Sequence, residues 1–322
     1  MLLKIRLLVA VLISLAVLPS ATPAQSLQPA AEYQSLLRMR FSDANGEFQA
    51  EGLQIVFPPK DEATILTVNR SSGEEIFRLH LRSEPSLSSP LFDNLIPDVE
   101  PGAIKVGQSG DFILMIKVSN RVITRFPFTL KAEPEVDPYD PPKRFRRDGP
   151  WRDLAYFSLP VGDNALNLDF NWWMSLRELP TGMTDPQVSI HLMLDSREIA
   201  SSRDRLTLDS LDWQFFTSDL IQATKFGPQH LTLGELAQRE GDYLLIVEAN
   251  GTPIKSYRLE VKDGWLQRPD QSRLDFEPHV DFMSPRLIDT STRSDSHKLI
   301  RDVYWVRRTE VTATFGPRPD AK

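Results

Sequence analysis

The segment GDFILMIKVSNRVITRFPFTLK, residues 110 to 131, returns without a gap as GDYLLIVEANGTPIKSYRLEVK, residues 241 to 262. Phe112, Leu114, Ile116 and Val118 alternate with their neighbours, and Tyr243, Leu245, Val247 and Ala249 repeat the alternation. A period of two places each set on one face of a strand. The returning stretches do the same with Phe126, Phe128, Leu130 and with Tyr257, Leu259, Val261. Ser119-Asn120 and Asn250-Gly251 stand between them, and Asn and Gly accept the positive φ of a tight hairpin turn. Each copy therefore reads as a β-hairpin, and by its position as the closing hairpin of a domain.

The rest of the chain agrees with a doubled all-β scaffold. Its 322 residues allow two ordinary domains, and 41% hydrophobic with 25% charged residues are globular values. In the first copy, strands are expected at Ser35 to Phe41, Gly52 to Phe57, Thr64 to Asn69 and Ile76 to Arg82. Turn signals at Asn45-Gly46, Pro58-Pro59 and Ser71-Ser72-Gly73 separate them. In the second copy the expected strands are Leu154 to Pro160, Ala165 to Leu176, Gln187 to Leu194 and Leu206 to Phe216. Leu220 to Lys225 and Leu233 to Arg239 read as single helical turns. Short strands and frequent turns favour two antiparallel β-sandwiches.

Gly110-Asp111-Phe112-Ile113-Leu114 and Gly241-Asp242-Tyr243-Leu244-Leu245 resemble the start of the penultimate strand in immunoglobulin-like sandwiches. There a glycine turn precedes a buried tyrosine, and a core residue follows two positions on. The resemblance covers about 20 residues per copy and names the superfold, not a family. It implies tandem immunoglobulin-like domains. Leucine stands where antibody domains carry cysteine, so no inter-sheet disulfide is implied, and a tyrosine corner is available only at Tyr243.

The expected organisation follows. Lys4 and Arg6, the apolar stretch Leu7 to Leu18 and the small residues before Ala24 read as a signal peptide over 1–24, cleaved on export. Sandwich domains follow at 33–132 and 151–263. Between them, 133–150 holds five prolines and nine charges, the composition of a linker or a strap lying along the surface. The extension 264–322 contains LIRDVYWVRRTEVTATF, which reads as strand that packs on the second domain or orders on a partner. No later stretch is long enough to span a membrane after signal cleavage. The chain has no cysteine, which excludes a disulfide, a thiol nucleophile and a cysteine-based zinc site. A net charge of −7 argues against a nucleic-acid surface over the whole protein.

Reactive constellations are hard to find. Gly107-Gln108-Ser109-Gly110 lacks the spacing and the strand-to-helix setting of a nucleophile elbow, and the second copy has Arg239 and Glu240 at the matching place. His80, His191, His230, His279 and His297 show no zinc-protease spacing. The tail set His279, Asp281, Asp289, Asp295 and His297 reads as solvated. Asp43 to Glu47 reads as a hairpin turn. Asp163, Asn164, Asn167, Asp169 and Asn171 offer oxygen ligands of the kind calcium takes, but read as the wet face of a half-buried strand. No metal, no cofactor and no catalytic residue is assigned.

Binding surfaces are the alternative. Trp172 and Trp173 are adjacent on a strand and so point to opposite faces. If one fills the core, the other faces outward or lies beneath the linker or the tail. Lys143-Arg144-Phe145-Arg146-Arg147 and the tail residues Lys298, Arg301, Arg307 and Arg308 are basic runs, expected to pair with nearby carboxylates. The sequence thus points to an exported, periplasmic or secreted, non-catalytic binding or structural protein of a bacterial envelope, acting on another envelope or extracellular protein. Its expected surface joins Trp172 and Trp173 to Tyr304, Trp305, Arg307 and Arg308, within one contiguous exposed apolar patch. Two rivals remain. A carbohydrate-binding accessory protein would carry a planar row of exposed aromatics, and a hydrolase would carry a polar cleft at the interdomain seam.

Overall fold

The computed structural model describes residues 30–31, 33–56, 63–85, 92–98, 103–133, 144–159, 167–183, 186–205, 212–267 and 302–309. The proposed signal peptide lies outside them. The chain is all-β with antiparallel sheets, as the alternating pattern predicts. Among the described residues no helix is long and apolar enough to cross a membrane.

The first unit contains β1 (Ala30–Ala31), β2 (Arg40–Ser42), β3 (Glu47–Gln49), β4 (Leu53–Val56), β5 (Thr64–Arg70) and β6 (Glu75–Pro85). It continues with β7 (Phe92–Pro97), β8 (Ala103–Lys105), β9 (Gly110–Val118), β10 (Arg121–Ala132) and β11 (Phe145–Asp148). Eight of these form one sheet in the order β1-β4-β7-β6-β5-β9-β10-β11, and β2-β3-β8 form a second, smaller sheet. The Phe48 ring of β3 lies 4.9 Å from that of Phe128 on β10, so the small sheet covers the inner face of the large one. The short helix α1 (Tyr33–Leu37) stands where strand was expected, with Leu36 and Leu37 buried in this core. Only Arg40–Ser42 of that stretch is extended. Within the stretch expected to link the domains, Phe145–Asp148 pairs antiparallel with β10 as the last strand of the sheet. Its alternation of buried Phe145 and Arg147 with half-buried Arg146 and Asp148 is a strand pattern that the surrounding prolines and charges hide.

After helix α2 (Pro150–Asp153) the second unit contains β12 (Leu154–Leu159), β13 (Asp169–Met174), β14 (Gln187–Leu194), β15 (Arg197–Arg205), β16 (Gln214–Asp219) and β17 (Ile221–Thr224). Then come β18 (Gly227–His230), α3 (Leu233–Ala237), β19 (Gly241–Ala249), β20 (Thr252–Lys262), β21 (Trp265–Leu266) and β22 (Asp302–Thr309). The strand order is β16-β13-β12-β22-β20-β19-β14-β15-β17-β18, with β21 paired to β20. Strands neighbour one another at about 4.8 Å, so in a flat sheet β13 and β20 would lie about 14 Å apart. Yet the Phe170 and Tyr257 rings meet at 5.5 Å. The sheet therefore folds over on itself around a core. Helix α3 is where the sequence predicts it, closed by a capping box between Thr232 and Glu235. Ile221–Thr224 is strand rather than the expected helical turn, because its partner β18 offers a backbone ladder over four residue pairs.

The two repeated segments occupy matching places. Gly110 pairs with Leu130 and Gly241 with Val261, and both hairpins carry a register shift near the turn. Positive φ occurs at Ser119 and Asn120 in one turn and at Asn250 and Gly251 in the other. Tyr243 donates its hydroxyl to Arg239 O at 2.6 Å, the local bond of a tyrosine corner. Phe112, with no hydroxyl, is instead approached by the Arg70 guanidinium at 5.9 Å.

Candidate functional site

Strand β13 reads DFNWWM and is buried on both faces. Ala155, Phe157, Phe170, Trp172 and Met174 belong to the core of the second unit, while Leu154, Tyr156 and Trp173 join the core of the first. The wall made by β12 and β13 is thus shared by two cores. Trp172 packs beside Phe170 and Phe216 and donates its indole N–H to Ser218. Trp173 packs against Phe215 and Tyr156. Both are at most 1% exposed, so neither presents an outward ring. The sequence reading of opposite faces holds, and the second face is the seam between the units.

Arg147 fastens that seam. It is 5% exposed, and its Nε donates to Asp212 Oδ1 at 3.0 Å, Nη1 to Met39 O at 3.0 Å and Nη2 to Trp213 O at 3.1 Å. Its guanidinium lies 4.4 Å from the Trp151 ring centre. Trp213 donates back to Arg147 O, and Trp151 donates to Leu37 O. Burial pushes Asp212 above the usual carboxylate range, although Arg147 beside it favours ionisation. The expected pairing of this basic run with a carboxylate is realised at Arg147.

A second buried group of charges lies nearby. Lys255, fully buried, places Nζ 2.6 Å from Glu178 Oε2 and donates to Trp173 O at 2.7 Å. Arg308 reaches the other oxygen, Glu178 Oε1, at 2.7 Å and donates to Ile254 O at 3.0 Å. Burial lowers Lys255 to about 8, against the pull of Glu178. Burial also drives the Tyr257 phenol upward, and no hydrogen bond reaches its hydroxyl. Among the expected surface residues, Arg308 is therefore an internal tie. Tyr304, Trp305 and Arg307 lie in β22, paired with Phe157, Tyr156 and Leu154 of β12. This strand runs between β12 and β20 as an internal member of the sheet.

A concavity also lies at the seam. A cleft of about 510 Å³ opens between the outer face of β9, β10 and β11 and helix α2. Ile113, Pro127, Pro150 and Leu154 supply apolar surface, and Asp111, Asp148 and Asp153 supply carboxylates, with Arg152 as the cation among the lining residues. Asp111 accepts from the Thr129 hydroxyl at 2.6 Å, Gly149 N donates to Asp148 Oδ1 at 3.0 Å, and Lys131 lies 3.7 Å from Asp148 Oδ2. Lys255 and Tyr257, both displaced by burial, are fully buried, and Asp169, raised by burial and by Asp219 beside it, is not among the residues that line the cleft. A second cleft of about 660 Å³ lies where β15 and β17 share a single residue pair.

Other expected features find plain places. His191 sits between Glu198 at 2.7 Å and Glu248 at 3.6 Å. Asn171 is buried, giving its amide to Asp169 O and accepting from Thr217. No group of three metal-ligating side chains forms among the described residues. His279, Asp281, Asp289, Asp295 and His297 lie outside them, as do Asp163 and Asn164. The expected contiguous apolar patch is not found among the described residues, where the exposed large hydrophobic is Phe226 alone, at 79%. The sequence reading missed it by taking Leu220 to Lys225 as helical. The signal was Phe226-Gly227-Pro228, a turn that separates two short alternations. The cleft carboxylates were invisible because β9, β11 and α2 bring them together from well-separated positions.

No family model, curated protein or solved structure matches the chain.

Proposed function

We propose that this chain is an exported, non-catalytic binding or structural protein of a bacterial cell envelope, working through contacts with other proteins. The observation that carries the reading is the wall of β12 and β13, whose two faces are buried in two different cores. Rigid coupling of two units suits a protein that presents surfaces at fixed separation. Lys255 and Tyr257, both displaced by burial, are enclosed, which favours a structural use of both. Contacts then fall to Phe226 and the seam cleft rather than to Trp172 and Trp173.

A photo-crosslinking residue at position 226 or 152 in the source cells tests this. The expected result is a discrete crosslinked protein in the envelope fraction. Recovery of the chain in the cytosolic fraction, or crosslinking no different from that at a control site on β6, would sink the reading. The hydrolase alternative keeps one support, since the cleft lies at the seam. Turnover of an ester, glycoside or peptide panel that is lost on Asp153→Asn would favour it instead. The carbohydrate alternative calls for a planar row of exposed aromatics, and among the described residues Phe226 is the exposed large hydrophobic.

A further inference from the structure

The β17–β18 hairpin displays Phe226 at its turn. Thr224 Oγ1 accepts from Phe226 N at 3.2 Å and donates to Gly227 O at 2.7 Å, tying the turn from within. Gly227 adopts φ +106 to close it, and the Lys225 ammonium lies 4.9 Å from the ring centre. From Leu220 to Thr232 the sequence contains no carboxylate, although the chain has 44 acidic residues. The tip is thus an aromatic ring with one cation beside it, on a turn whose backbone is tied. An isolated aromatic on a tied turn loses little backbone freedom on docking, which suits it to act as an anchor.

The seam cleft has the opposite character. It offers apolar surface at Ile113, Pro127 and Leu154 and carboxylates at Asp111 and Asp153, while Asp148 is already paired with Lys131 at 3.7 Å and Arg152 is the cation of the lining. Its volume of about 510 Å³ is within the range of pockets that enclose small groups and leaves room for one phenyl ring with a lysine alongside. No residue of the hairpin lines it, so each molecule carries a plug and a socket that its own plug does not line.

We infer that Phe226 and Lys225 of one molecule dock in the seam cleft of a second copy of this chain. The ring covers Pro127 and Ile113, and the ammonium meets the carboxylates of Asp111 and Asp153. The two patches differ, so the contact is head-to-tail; it builds rings if the rotation closes and filaments if it does not. This self-association deepens the proposed envelope role and rests on it, yet purified protein examines it alone. Failure here would leave crosslinking to other proteins in cells unaffected.

The test is sedimentation velocity and light scattering over a concentration series, with circular dichroism to verify that each variant is folded. Wild type is expected to gain mass with concentration. Phe226→Ala removes the plug and Pro127→Arg fills the socket with bulk and positive charge. Each alone should weaken association by about tenfold or more, while Phe226→Trp should retain it. An equimolar mixture of Phe226→Ala and Pro127→Arg retains one good plug and one good socket, so it should form heterodimers and stop there. Wild type that stays monomeric throughout overturns the inference, as would be expected if the cleft serves a small molecule or another protein. Assembly unaffected by Phe226→Ala, or a mixture that forms no heterodimer, overturns it equally.

Discussion

Arg147 Nε and Asp212 Oδ1 stand 3.0 Å apart across the seam, with side chains only 5% and 15% exposed. The arginine comes from β11 of the first unit and the aspartate from the turn before β16 of the second, so the pair couples two cores. Removing the guanidinium takes the ion-pair partner from a buried carboxylate, which keeps the Trp213 N–H, and a donor from two carbonyls, Met39 O and Trp213 O. Arg147→Met should therefore lower stability by about 3–5 kcal/mol in urea unfolding. Arg147→Lys should not recover it, because one ammonium cannot replace a planar donor fork between rings. Adding Asp212→Asn to Arg147→Met should restore part of the loss. A single-variant cost below about 1 kcal/mol would mean the seam is wet.

Lys255 gives the chain a stability term with a definite sign in pH. Burial lowers its folded-state value to about 8, while the unfolded chain holds that proton up to about 10.4. Between those values the unfolded state binds more protons, so stability from this group rises with pH and is lowest below 8. The difference in unfolding free energy between wild type and Lys255→Met should move in favour of wild type from pH 7.5 to 10. The change should be on the order of 2 kcal/mol. A difference that is flat across this window would show that water reaches the ammonium.

Gly241 opens the second hairpin at φ +145, and a Cβ there would fall 2.7 Å from Leu194 Cδ1. The backbone region opposes any side chain, and the end of the flexible Leu194 side chain would have to move aside. Gly241→Ala should cost about 1–3 kcal/mol by thermal or urea unfolding. In a Leu194→Ala background the clash is gone and the backbone strain remains, so the added cost should fall without vanishing. Equal costs in both backgrounds would assign the whole effect to φ.

The period-two alternation of the repeated segments made the hairpins legible, because each strand has one face in a core. At β13 it found the strand but not its surroundings: Trp172 and Trp173 are both buried, because the face expected to be wet meets a second core. It failed at β11, whose four residues are strand only because β10 offers an edge. The expected site residues were aromatic and basic, and such residues serve the interior as readily as the surface. Trp173 and Arg147 closed the seam for that reason. Phe226 was hidden by the opposite error, since nothing in Leu220 to Lys225 distinguishes a short strand from a helical turn without its partner.

Strand β22 is the last element among the described residues and an inner element of the sheet. It pairs with β12 over Asp302 to Arg307 and with β20 at Arg308 and Thr309. A chain ended after Gln267 would leave the facing edges of β12 and β20 without this ladder and would take Arg308 from Glu178. Unpaired edges of this kind invite pairing with other chains. Leu154 and Tyr156 of β12 also belong to the first core, so the damage should spread across the seam rather than stay in the second unit. The truncated chain should show lower hydrogen-exchange protection at Phe157, Tyr257 and Trp151 alike, and should aggregate on concentration. A peptide of residues 300 to 310 added in trans should restore protection at all three. Arg308→Ala, which keeps the ladder and removes one charge tie, should cost less, about 1–3 kcal/mol. Full protection at Trp151 in the truncated chain would show that the two cores fold independently.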